Sequence, residues 1–243
     1  MRFFTQIANI NNIVSSVLTS SAASTDLNMV FDGDSLTRGE GAGGYQVYPY
    51  QIFTHYETIF KTVEWHSFGV GGQTTSQMLT DRATQVLPLA NPAKFNILFL
   101  WEDVNALFQK APADAQLNYD QMKLYAQDAK NAGYQKVVLL TSYHFRADSD
   151  GIIRQGTTDA SHVQAPGGTS DILEIYFDLV TNSNPADVAW DHHIDLRNAP
   201  FIGGVRNQIK DDVYFADFIH LKLPGYNIVR DQVIAYINSL FNI

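Results

Sequence analysis

The sequence predicts an α/β protein: a mostly parallel, five-stranded sheet with helices on both sides, forming a three-layer α/β/α sandwich. Three observations lead there. Short apolar runs of strand length recur along the chain, segments with helical apolar spacing separate them, and glycine or polar residues gather where the runs stop. Strands alternating with helices at this spacing build βαβ units, whose parallel strands lie buried under helices.

Taken in order, residues 27–31 form an apolar run that stops at Asp32-Gly33-Asp34-Ser35, as a buried strand ending in a turn would. A glycine-rich loop over 36–44 precedes an expected helix over 47–56. The second strand falls over 62–68 and runs into Gly69-Val70-Gly71-Gly72, after which Thr75 can start a helix through Met78 and Leu79. The clearest central strand is 95–100. Met122, Tyr125 and Ala129 mark one face of a helix over 119–132, closed by Gly133, and 136–141 is the next strand. Residues 145–170 are rich in Asp, Gly, Ser and Thr and read as a long loop or lid. A helix over 172–180, a last strand within 188–196, and a closing helix over 224–241 complete the pattern.

Residues 1–25 stand apart from this alternation. Phe4, Ile7, Ile10, Val14 and Val17 recur at helical spacing, so the segment is expected to be a helical amino-terminal extension, ahead of one domain over 26–243. Arg2 and the small residues near position 24 suggest a secretion signal, but Gln6, Asn9, Asn11 and Asn12 interrupt the apolar stretch one requires. No run has the length or apolarity of a membrane span.

Composition narrows the partners. The formal charge is -9, from 25 acidic and 16 basic residues, and the basic residues are scattered. A nucleic-acid partner needs concentrated Lys and Arg, so this class is excluded. The chain has no cysteine, which rules out disulfides and thiolate chemistry. At 45% hydrophobic content and 243 residues it can bury a large core without such staples.

Ligands of open parallel sheets bind beyond the carboxyl ends of the strands, and reactive groups cluster there in three places. Gly33 permits a tight turn that leaves Ser35 at the start of a helix or loop, although an isolated serine there can also serve only as a cap. Gly69-Val70-Gly71-Gly72 can bring backbone N–H groups close to a ligand, or simply make a turn; it lacks the pattern of a phosphate loop. In Asp217-Phe218-Ile219-His220, the spacing puts carboxylate and imidazole on one side of a turn, so Asp217 can orient His220 as a base.

Together these segments resemble the motif blocks of the SGNH (GDSL-type) esterase and lipase family. Gly33-Asp34-Ser35-Leu36 resembles the first block, Gly72 with Gln73-Thr74 the second, and Asp217-Phe218-Ile219-His220 the last, followed by Leu221 and Pro224-Gly225-Tyr226. The third block normally reads Gly-x-Asn-Asp. Here it is Asp103-Val104-Asn105-Ala106, which keeps the asparagine and departs at Asp103 and Ala106. The blocks occur in order and span most of the chain.

The resemblance implies a flavodoxin-like SGNH fold and a serine ester hydrolase that uses no cofactor and no metal. It implies Ser35 as nucleophile, His220 as base and Asp217 as its orienter, with an oxyanion hole made by the Ser35 N–H, the Gly72 N–H and the Asn105 amide. Losing one such donor costs on the order of 3 kcal/mol in the barrier. Asp34, and in the same way Asp32, is expected to hold the nucleophile turn. An inward-facing Asp103 carboxylate would repel the oxyanion. Trp101 and His144, at strand ends, are candidate walls of the substrate cleft, Trp101 being equally readable as core. A divalent ion on Asp32, Asp34 and Asp217 would leave Ser35, Gly72 and Asn105 without a task, and His192-His193, being adjacent in an extended segment, should point opposite ways.

The polar 145–170 segment leans the substrate toward a short acyl group, such as acetyl, on a carbohydrate or other polar alcohol, presented as a small molecule or a polysaccharide. A lipase, a thioesterase, or a noncatalytic carbohydrate-binding or structural module are the alternatives. An upstream module or assembly reached through the amino-terminal segment, in an extracellular or virion-associated setting, is the expected context.

Overall fold

A computed structural model of the chain describes residues 22–43, 47–108, 114–143, 172–203, 213–217 and 219–243. The amino-terminal segment through residue 21 and the 145–170 loop lie outside the described residues, as does His144. Five strands form one sheet in the order β2-β1-β3-β4-β5, with every neighbouring pair parallel. They are β1 (Asp26–Gly33), β2 (Thr62–Gly69), β3 (Phe95–Trp101), β4 (Lys136–Thr141) and β5 (His192–Asp195).

Burial explains which strands the sequence displays clearly. β1, β3 and β4 are interior strands and are buried almost throughout, so they read as continuous apolar runs. β2 lies at an edge and alternates between partial burial and exposure. β5, the opposite edge, is only four residues long and shorter than the 188–196 expectation. Residues ahead of it serve other ends: Trp190 packs edge-on against Tyr119, and Asp191 accepts from Lys130 and from the Val137 N–H.

Between the strands lie α1 (Ser35–Arg38), α2 (Tyr48–Tyr56), α3 (Thr75–Gln85), α4 (Val104–Phe108), α5 (Ala115–Ala132) and α6 (Ile172–Thr181), and α7 (Leu223–Phe241) follows the last strand. Neighbouring strand residues point to opposite faces. Phe31 packs edge-on against Tyr48 of α2, whereas Asp32 accepts a hydrogen bond from the Tyr125 hydroxyl of α5. Thus α2, with α7 packed beside it, covers one face of the sheet, and α5 covers the other together with α3 and α6. The sandwich expected from the sequence is present. Helix α5 starts four residues earlier than the expected 119, because Asp114 caps it by accepting from the Leu117 N–H.

In this strand order the connections leave β1 toward β2 on one side and return toward β3 on the other. A crevice therefore opens beyond the carboxyl ends of β1 and β3. The candidate site lies there.

Candidate active site

Ser35 is delivered by the end of β1. The reason for glycine at position 33 is close approach: a Cβ there would come within 2.2 Å of the Trp101 carbonyl oxygen and 2.3 Å of Thr37 Oγ1. Gly33 is thus the last residue of the strand, where the sequence had suggested a turn. Asp34 follows as the cap of α1 and accepts from the Leu36 N–H at 2.8 Å. Ser35, mostly buried, lines a cleft of ≈ 290 Å³ with Gly72, Asn105 and His220 among its walls.

His220 reaches Ser35 from the far end of the chain. Residues 214–217 and 219–222 are brought together by the Phe215–Leu221 bridge, with Ala216 N–H donating to the His220 carbonyl and Lys222 N–H to the Tyr214 carbonyl. The Tyr143 hydroxyl, donating to the Ile219 carbonyl, ties this loop to the end of β4. His220 Nε2 lies 2.9 Å from Ser35 Oγ, and its Nδ1 lies 2.8 Å from Asp217 Oδ2. With the imidazole proton on Nδ1, Nε2 can accept from the serine hydroxyl. Asp217 Oδ1 also accepts from the Ile219 and His220 N–H groups. Partial burial pushes the Asp217 carboxyl up, but the bonds from His220 and Ile219 outweigh it and hold it at about 2.

Gly72 sits at φ 74°, a left-handed conformation natural to glycine. Neither its N–H nor that of Ser35 makes a hydrogen bond among the described residues, and both residues line the cleft. Asn105, on α4, is buried beside them, and its Nδ2 donates to Asp34 Oδ2 at 2.8 Å. Asp34 therefore holds two of the elements at once: it caps the helix of Ser35 and fixes the Asn105 amide. Burial, and next the nearby Glu102, raise its carboxyl well above the usual range.

Asp103 faces away from the cleft. Its Oδ2 accepts from the Ser142 N–H at 2.6 Å and its Oδ1 from the Ser142 hydroxyl, so its carboxylate is directed at the end of β4. Burial raises it to about 7 against the opposing bonds from Ser142.

Glu102 is the residue that sequence reasoning missed. Its Oε1 accepts from the Asn105 and Ala106 N–H groups at 2.8 and 3.0 Å, capping α4. Its Oε2 accepts from the Thr75 N–H and hydroxyl, joining the start of α3 to the same carboxyl. Burial raises Glu102 to about 7, against the Thr75, Ala106 and Asn105 bonds. An acidic residue just ahead of a short helical stretch was the available signal.

Other expectations fare differently. Trp101 is fully buried and its Nε1 donates to Ser142 Oγ at 3.1 Å, so it belongs to the core and does not wall the cleft. Asp32 accepts from the Tyr125 hydroxyl on the α5 face of the sheet and takes no part in the turn that presents Ser35. His192 stacks on Tyr236 while His193 Nε2 lies 2.8 Å from Thr141 Oγ1, so the two rings do face opposite ways. Among the described residues no three His, Asp or Glu side chains converge as metal ligands.

Strand order and site together define a flavodoxin-like α/β fold with its polar crevice at the switch between β1 and β3. Solved structures share this fold. The chain is similar to a member of the lipolytic G-D-S-L family from Veillonella parvula, at 17% identity and TM-score 0.59 over 86% of this chain and 97% of the other. A GDSL-like lipase from Bacteroides thetaiotaomicron gives 17% and 0.61 over 88% of each chain. An acetyl-xylooligosaccharide esterase from Geobacillus gives 12% and 0.58 over 88% of this chain and 95% of the other. No protein-family model and no curated protein matches the sequence.

Proposed function

We propose that the chain is a serine ester hydrolase acting on short acyl esters, acetyl foremost, of a carbohydrate or other polar alcohol. The observation that carries this reading is the unbroken line from Ser35 Oγ through His220 to Asp217, opening on a cleft bordered also by two backbone N–H groups that have no partner among the described residues. A serine that only capped a helix would need no oriented base.

In this mechanism Ser35 Oγ attacks the ester carbonyl as its proton passes to His220 Nε2. Asp217 stabilises the imidazolium, and the Ser35 and Gly72 N–H groups with the Asn105 amide receive the oxyanion. The tetrahedral intermediate collapses to an acyl-Ser35 and the alcohol, which takes the proton from His220. Water then attacks the acyl group, giving a proton to His220, and as the acid leaves, Ser35 Oγ takes that proton back, restoring both residues. Beyond the substrate and water, every step uses groups of this chain.

The described cleft, at ≈ 290 Å³, lies at the small end of ligand pockets, about 300–1,000 Å³, which favours a short acyl chain. The esterase from Geobacillus, named for acetylated xylo-oligosaccharides, supports the same choice. The test is kcat/KM for a series of 4-nitrophenyl esters. Acetate and butyrate should exceed the decanoate and longer esters by at least about tenfold, as expected when surplus methylenes find no pocket; a preference for the long chains would refute the short-acyl assignment.

A further inference from the structure

We propose that a second cleft beside the nucleophile is a subsite for the neutral, hydroxyl-bearing alcohol half of the ester, such as a pyranose ring. This rests on the reading of Ser35 as an ester-cleaving nucleophile. The cleft measures ≈ 320 Å³ and shares Gly71 and Gly72 with the cleft that holds Ser35. A substrate whose acyl carbonyl sits against Gly72 can therefore extend its other half across one backbone segment into this space.

Its lining suits hydroxyl groups. Beyond Gly72 it is built by Gln73 and by Gln77, Thr80 and Asp81 of α3. Gln77 commits its carbonyl oxygen to the Thr74 N–H, and its NH2 makes no hydrogen bond among the described residues. Thr80 donates to the Ser76 carbonyl, which leaves its oxygen able to accept. Gln73 is buried, and its Nε2 lies 3.4 Å from Asp81 Oδ2, at the long limit of a hydrogen bond. The Gln73 Oε1 has no partner among the described residues. This is a set of donors and acceptors with incomplete bonding, and a hydroxyl, which both donates and accepts, can bridge Gln73 and Asp81.

Two further features select the class of ligand. Val70, half exposed at the same cleft, offers an apolar surface of the kind the C–H face of a sugar ring covers. Among the described residues no Lys or Arg lines this cleft, the Arg38 guanidinium beside Gly71 is paired with Glu40, and Asp81 places a carboxylate in the cleft, so a phosphate, sulfate or uronate is disfavoured.

The test measures binding apart from turnover. Unacetylated xylotriose is titrated into the wild-type chain and into Asp81→Ala and Thr80→Phe, followed by NMR or calorimetry. In parallel, kcat/KM is measured for acetylated xylotriose and for 4-nitrophenyl acetate. Saturable binding that weakens about tenfold or more in both variants is expected, as is a similar fall in the ratio of sugar-ester to nitrophenyl-ester kcat/KM. Thr80 is exposed on α3, so Thr80→Phe fills the cleft without disturbing the core. Absence of xylotriose binding, or equal binding and an unmoved ratio in both variants, would overturn the subsite. Binding lost in the variants but no hydrolysis of either ester by the wild type would keep the subsite and refute the hydrolase reading.

Discussion

The line from Ser35 to Asp217 and the carboxyl groups beneath Asn105 treat charge in opposite ways. The Asp217 side chain is 45% exposed and that of His220 23%, and their mutual bonds hold the Asp217 carboxyl at about 2. Asp34, Glu102 and Asp103 are buried at 1%, 1% and 0% exposure, and burial drives each of them upward. The first group keeps an ionised carboxylate next to the imidazole that, in the proposed mechanism, must gain and lose a proton. The second keeps backbone and amide groups in place. Water can help the former. The latter depends on every bond being made, because a buried polar group without a partner costs about 1–3 kcal/mol.

Breaking each side should therefore fail differently. The largest expected effect is on the reacting side: His220→Ala should lower kcat for 4-nitrophenyl acetate by roughly 10⁴-fold or more while the melting temperature stays within a few degrees. An equal loss of folding and activity would contradict the division drawn here. On the buried side, Glu102→Ala removes the acceptor of the Thr75, Asn105 and Ala106 N–H groups. Its expected signature is a melting temperature lower by about 10 °C or more, at about 2–4 °C per kcal/mol for a chain of this size. Activity should fall with it, since α4 carries Asn105.

The smallest effect is a matter of pH. Asp103 and Glu102 are raised to about 7 in the fold, whereas the unfolded chain titrates near the ordinary 3.8 and 4.5. Between those values the folded state binds more protons, so stability is fullest below about 4 for these groups and declines as pH rises through 7. Asp217 runs the other way, its contribution being present above 3.8 and lost toward about 2. Melting temperature should thus fall between pH 5 and 8. Asp103→Asn, whose amide can still pair with Ser142, should make that slope shallower; an unchanged slope would remove Asp103 from the account.

Much of this was legible in the chain because interior parallel strands and motif chemistry leave local traces. β1, β3 and β4 are apolar on both faces and could be read directly, whereas β5 is a four-residue edge strand beginning with two histidines. Helix α4 is too short for its periodicity to register. Ser35, the Gly69-Val70-Gly71-Gly72 run, Asp217 and His220 stood out by residue type and spacing, whereas Asn105, and Gly72 within its run, stood out only through the resemblance to the family's motif blocks. Glu102 did not, because its role is written in three separate segments, at Thr75, at Asn105 and, through Thr75, at Asn118. Trp101 misled for a similar reason: a tryptophan at a strand end looks like a cleft wall until the Ser142 hydroxyl that satisfies its Nε1 is known.

The central claim, that Ser35 is the nucleophile, is tested most directly by treating the chain with a 4-nitrophenyl phosphonate and mapping the adduct by mass spectrometry. One covalent phosphonyl group on Ser35 is expected, with loss of esterase activity in proportion to labelling and little labelling in His220→Ala. An unlabelled Ser35 in a chain that still hydrolyses 4-nitrophenyl acetate would contradict it.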